Sequence, residues 1–371
     1  MIPIRVEVAL ILAITAAACA LPGVYLVLRR MTLLSDAISH VLLFGVVVAF
    51  FLVGDLKSPW LLIGATLSGL LTVGLVETLK RSRLVREDAA IGLVFPALFA
   101  LGVVLASMYL RNTHLDVDRV LLGIPEVAAN RRFILGPYDW GSQARVVMAG
   151  MFVLNLAFVV TFYKELKVGT FDPGLAAALG FLPGLLHYAL MGLVSLTAVT
   201  AFDAVGPVLV VAFMVVPPAS AYLLTDRLSV MLALSVALGA AGAAAGVFLA
   251  FVFNTTTAGM AATVFGVLFA LIFLLAPQRG LVAQWLQRRR QHRAFFETML
   301  AVHLLQHAGT PEEEEESRVD RLPHHLGWKP ADVHTVVRRA ERNGWVEERQ
   351  ARLILTDRGR AAARAAIGDP G

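Results

Sequence analysis

Nine stretches of about twenty mainly apolar residues follow one another through the first 280 positions, at approximately 8 to 29, 33 to 54, 60 to 80, 88 to 110, 144 to 163, 184 to 201, 204 to 224, 229 to 252 and 258 to 276. A hydrocarbon layer about 30 Å thick is crossed by about 20 helical residues, so each stretch is long enough to span it. Backbone groups in lipid must be paired within a helix or around a closed barrel, and the alternating ten-residue pattern of barrel strands is absent. The fold class expected is therefore an all-α polytopic membrane protein. The first stretch is too long for a cleaved leader, is followed by too many others and lacks a basic start.

Charge divides the chain in two. Of 32 Lys/Arg and 27 Asp/Glu, 16 and 13 lie from Arg279 onward, which predicts a transmembrane domain over 1–280 and a small water-soluble domain over 281–371. With 58% hydrophobic and 16% charged residues overall, an ordinary soluble globular chain is excluded. Cys19 is the single cysteine, so disulfides and Cys-based zinc sites are excluded too. Basic residues recur at alternate span ends: Arg29-Arg30, then Lys80 to Arg86, Lys164 and Lys167, Arg227, and Arg279 onward. By the positive-inside rule these loops are cytoplasmic, with the N-terminus outside and the charged final quarter inside. The 111–143 stretch carries several Arg yet falls outside, which leaves room for a re-entrant or additional segment there.

Ionisable residues within spans mark functional sites, because burying them in lipid costs several kcal/mol. Asp36 and His40 stand at i and i+4 at the start of the second span, on one helical face, and a carboxylate with an imidazole suits Mn, Fe or Zn. The alternative is an Asp capping its own helix and a His hydrogen-bonded to a neighbour. Glu77 and Asp88 flank a basic loop, and Asn155, His187 and Asp203 lack a partner at helical spacing; these read as structural hydrogen-bonding groups. Pro217-Pro218 interrupts the seventh span and either lines a path or kinks the helix. Between spans five and six, Asp172-Pro173 is a helix start and Gly180 a stop, predicting a short helix that docks a partner or merely connects. No Gly-x-x-x-x-Gly-Lys-Ser/Thr motif occurs, so any ATP-driven work needs a second polypeptide.

Several segments together resemble the membrane permeases of ABC importers for manganese, zinc and iron, relatives in fold of the iron-siderophore and vitamin B12 permeases. They are Arg30-Met31-Thr32-Leu33-Leu34-Ser35-Asp36-Ala37-Ile38-Ser39-His40, Glu87 to Phe95 with Phe99 to Gly102, Leu115 to Gly123, Phe171-Asp172-Pro173, and Val205 to Val210 leading to Pro217-Pro218-Ala219. The resemblance implies that Asp36 and His40 coordinate the transported cation, and that the segment around Phe171, Asp172, Pro173, Gly174 and Leu175 is the coupling helix that meets the ATPase. It further implies a permease dimer, two ATPase subunits holding ATP, an extracellular or periplasmic metal-binding protein, no permanently bound cofactor, and a place in the bacterial cytoplasmic membrane.

After Arg290 the pattern predicts a helix with His303 and His307 on a solvated face, a solvated acidic loop at Glu312 to Glu316, a helix near 319–326, a helix from Pro330 to Arg342, and a two-stranded wing through Leu355. This resembles the winged helix of iron- or manganese-dependent repressors, with Arg338, Arg339 and Arg342 on the recognition helix as possible DNA contacts. The metal-binding and dimerising segment that follows the winged helix in those repressors has no counterpart before Gly371. A regulatory or assembly role is therefore expected ahead of nucleic-acid binding. The function expected is a permease subunit importing a divalent transition metal, manganese preferred and zinc or iron next. A membrane-anchored metal-responsive transcriptional regulator is the alternative, and a gradient-driven secondary transporter the third reading.

Overall fold

The computed structural model describes residues 3–55, 58, 60–109, 125–135, 138–277 and 279–368. The motif at Leu115 to Gly123 lies outside them. The chain divides into two compact units, Met1–Gly280 and Leu281–Gly371.

In the first unit, nine helices among the described residues are long and apolar enough to cross a membrane. They are α1 (Ile4–Leu28), α2 (Thr32–Val53), α3 (Trp60–Arg81), α4 (Glu87–Tyr109), α6 (Gln143–Thr161), α9 (Pro183–Val205), α10 (Pro207–Leu224), α11 (Leu228–Phe253) and α12 (Thr257–Leu275). Short elements join them: α5 (Pro125–Asn130), the antiparallel hairpin β1 (Arg132–Leu135) and β2 (Tyr138–Ser142), α7 (Tyr163–Phe171) and α8 (Pro173–Ala178). The spans expected from apolarity alone are all present.

Helix α1 is the axis of this unit, packed against α6, α9, α10 and α11. Its run Ala16-Ala17-Ala18-Cys19-Ala20 is buried throughout, and such small side chains let neighbouring backbones approach where no hydrophobic effect drives association. On α11, Gly246 serves the same end: a Cβ there would collide with the Ala261 backbone of α12.

Proline breaks in α1 and α10 both face neighbouring helices, and the one in α1 is repaired by a side-chain donor. Pro22, inside α1, has no N–H to offer the Ala18 carbonyl, and buried Asn155 of α6 donates to it from Nδ2 at 2.8 Å. Thr197 of α9 accepts a second bond from the same amide at 3.0 Å. Pro218 likewise frees the Met214 carbonyl, which presses on Gly23 of α1 so closely that a Cβ there is impossible. Both Pro217 and Pro218 are buried, on a stretch of α10 that packs against α1.

Among the described residues after α4, Arg131 and Arg145 are paired with acidic residues of distant spans. Arg145 Nη1 lies 2.8 Å from Glu7 Oε2, the Ser142 N–H donates to Glu7 Oε1 at 3.1 Å, and Arg131 reaches Asp203 at 3.3 Å. Glu126 accepts from the Thr257 hydroxyl. Among the described residues of this stretch, the connection is a short helix and a hairpin tied to the ends of α1, α9 and α12.

The second unit contains α13 (Leu281–His307), α14 (Glu313–Glu316), α15 (Leu322–His325), α16 (Pro330–Arg342), β3 (Val346–Arg349), β4 (Arg352–Leu355) and α17 (Asp357–Ile367). Its own core gathers Leu300, Leu304, Leu322, Val333, Val337 and Leu353. Gln350 and Ala351, both at positive φ, turn β3 into β4, the geometry a two-residue hairpin demands. Arg318 bridges Arg352 in an antiparallel contact beside the hairpin. Next to the bridge the Val319 N–H donates to the Ala351 carbonyl at 3.1 Å, so the helix expected over 319–326 starts late and is reduced to Leu322–His325. The acidic run is a helical turn rather than a loop, and its last residue, Glu316, turns inward.

Candidate functional site

Asp36 and His40 lie one turn apart on α2, with His40 Nε2 3.5 Å from Asp36 Oδ1. His40 sits about 12 Å into the helix at 1.5 Å per residue. Its ring stacks on Phe95 of α4 at 5.7 Å between centroids and meets Phe99 edge-on at 5.9 Å. The phenyl rings hold the imidazole on one side and leave the other open. The His40 and Asp36 side chains are 39% and 47% exposed within this single copy, whereas Leu34, Ser35, Ala37, Ile38 and Ser39 around them are buried. A half-exposed carboxylate at span depth is too costly to face lipid, so this side of α2 faces water or another protein surface.

Phe171, Asp172, Pro173, Gly174 and Leu175 lie between α6 and α9. Asp172 caps α8, its Oδ1 accepting from the Leu175 N–H at 2.9 Å, and Pro173 takes the first helical position as expected from the Asp-Pro pair. Gly180 ends the segment at φ +83°. All five residues are exposed, and so are the apolar side chains of Leu179, Leu182 and Leu185 that follow them.

Beside this segment lies a polar chain that sequence spacing does not reveal. Arg29, just past α1, donates from Nε to the Thr170 hydroxyl of α7 at 3.2 Å, and its Nη1 lies 3.0 Å from His187 Nδ1 of α9. His187 Nε2 is 4.0 Å from Glu77 Oε2 of α3, and Arg81 donates to Glu77 Oε1 at 2.7 Å. Through Thr170, α7 is thus tied to Arg29 at the end of α1, which also meets His187 of α9. His187, Asn155 and Asp203, which sequence reads as structural groups, all have partners, but those partners come from distant parts of the chain. Asp88, at the start of α4, is exposed.

In the second unit, Arg338 and Arg342 of α16 are exposed and Arg339 is half-buried.

The ABC 3 transport family model matches residues 1–276, the entire nine-span unit apart from its last four residues. The chain belongs to this family. It is 44% identical over 362 residues to the zinc transport system membrane protein TroD of Treponema pallidum, covering 97% of this chain and 98% of that one. It is 46% identical to the manganese transport system membrane protein MntD of Bacillus subtilis, covering 72% of this chain and 91% of that one. Among solved structures, PsaBC from Streptococcus pneumoniae in complex with Fab matches with a TM-score of 0.61 and 29% identity, covering 77% of this chain and 94% of that chain. Family membership makes the nine-span unit a multi-pass transport permease rather than an enzyme. Spans that merely anchor a transcriptional regulator have no support.

Proposed function

We propose that this permease carries a divalent transition metal into the cytoplasm, driven by an ATPase on a separate chain and supplied by an external metal-binding protein. The observation that carries the reading is the half-exposed Asp36–His40 pair in the open face of α2. Two copies apposed on this face would bring together two carboxylates and two imidazoles, a mixed O/N set suited to Mn, Fe or Zn. Phe171 to Leu175 is the proposed docking surface for the ATPase, which puts the basic loop ends and the C-terminal unit in the cytoplasm.

Manganese is the proposed preferred cargo, on the winged-helix unit's resemblance to manganese- and iron-responsive repressors. Zinc is the second reading, favoured because the relative that aligns through the C-terminal unit as well is named for zinc transport.

The test is ATP-dependent uptake in proteoliposomes holding the permease with its ATPase, with Mn, Fe and Zn at equal free concentrations. Manganese uptake resisting competition is expected; zinc carried with manganese excluded would reverse the choice. Asp36→Ala and His40→Ala are each expected to lower uptake about 10- to 100-fold, the scale of losing a metal-binding contact, without releasing the ATPase. Wild-type uptake in both would sink the site.

A further inference from the structure

We propose that the C-terminal unit holds a second metal site, for a divalent late first-row transition ion, formed by His303 and His307 of α13 and Glu316 of α14, with His325 of α15 steadying the carboxylate. The site is independent of Asp36 and His40 and of the transport reading.

His303 and His307 are one helical turn apart, their ring centroids 4.9 Å from each other. One ligand atom from each of His303, His307 and Glu316 lies within 4.8 Å of the other two. Bonds of about 2.0 to 2.2 Å to imidazole nitrogen and carboxylate oxygen put tetrahedral ligand atoms about 3.3 to 3.5 Å apart, so small side-chain movements close the set on one ion.

Burial supplies the second observation. His303 Nε2 and Glu316 Oε2 face each other at 3.2 Å, their side chains only 12% and 14% exposed, yet among the described residues neither atom makes a well-aligned hydrogen bond. A buried nitrogen and a buried oxygen left unsatisfied are each unfavourable, and one cation between them relieves both. Exposed acidic residues often cluster without a ligand, but Glu312 to Glu315 are the exposed members here and Glu316 alone turns inward.

The surroundings fit a ligand set. His325 Nδ1 lies 3.0 Å from Glu316 Oε1, the kind of outer contact that orients a metal-binding carboxylate. Two imidazoles and one carboxylate favour zinc, cobalt or nickel over calcium or magnesium, which prefer all-oxygen shells. A bound ion would clip the end of α13 to the segment feeding α15 and α16, so the unit would tighten when it is filled.

Full-length permease carrying Asp36→Ala and His40→Ala, stripped by chelator in detergent, serves as the parent for titration with cobalt. Four-coordinate cobalt absorption saturating at one ion per chain, and displaced by zinc, is expected. Adding His303→Ala with His307→Ala, or Glu316→Gln alone, should weaken binding about 10- to 100-fold. Glu316→Gln preserves shape, so it decides the matter if the histidine variant unfolds. Zinc should also raise the unfolding temperature of the C-terminal unit in the parent and not in Glu316→Gln. Unchanged cobalt affinity in Glu316→Gln, or a parent whose unfolding is indifferent to zinc, would overturn the site.

Discussion

Asn155 serves a break made on another helix. Pro22 leaves the Ala18 carbonyl without its helical donor, and the fully buried Asn155 amide takes that place while also holding Thr197. Replacing it with leucine, a somewhat larger apolar side chain, strands the Ala18 carbonyl, while the Thr197 hydroxyl keeps its bond to the Leu193 carbonyl. Asn155→Leu is expected to destabilise the permease by about 1 to 3 kcal/mol. Thermal unfolding in detergent measures this, and an unchanged midpoint would mean that Ala18 finds another donor. Nothing in the sequence pairs residues 18 and 155, because the bond runs between helices; Pro22 alone could have signalled that some donor was needed. Asp36 and His40 differ in this respect, since their relation is local and the i, i+4 spacing displays it directly.

At the scale of elements, legibility follows the range of the interaction. Spans announced themselves because lipid imposes a length on each, and α8 did so because Asp172 and Pro173 act within one turn. The inward Glu316 was read as solvated, since a run of five glutamates looks uniform until the fold turns one of them toward His303. The shortened α15 reflects a bridge to Arg352, more than thirty residues away. Arg29 ties α7, through Thr170, to the end of α1 and to His187 of α9, beside the proposed docking surface. Phe171→Glu with Leu175→Glu replaces two apolar contacts, 63% and 50% exposed, by charges. Burying an unpaired carboxylate against a partner is strongly unfavourable, so ATPase binding is expected to fall at least about tenfold while the permease stays folded. Co-purification and metal-stimulated ATP hydrolysis read the result, and normal coupling would move the docking surface elsewhere.

At the scale of the whole molecule, the two units are built on different solvents. The first packs small residues so that helix backbones meet inside lipid, whereas the second has a small apolar core enclosed by charge. Each has its own core, and the family model ends within four residues of the boundary at Gly280. The MntD relative is matched over 91% of its length by 72% of this chain. A chain ending at Gly280 is therefore expected to insert, to bind the ATPase and to transport at a rate within about twofold of the full protein, as a unit with its own core should. What it should lose is any response of uptake to cytoplasmic zinc, if filling the His303–Glu316 site restrains the permease. Uptake by both chains, assayed with and without zinc enclosed on the ATPase side, separates these outcomes. Failure of the short chain to fold would instead make the second unit a structural part of the permease, and equal zinc responses in the two chains would detach the second metal site from transport.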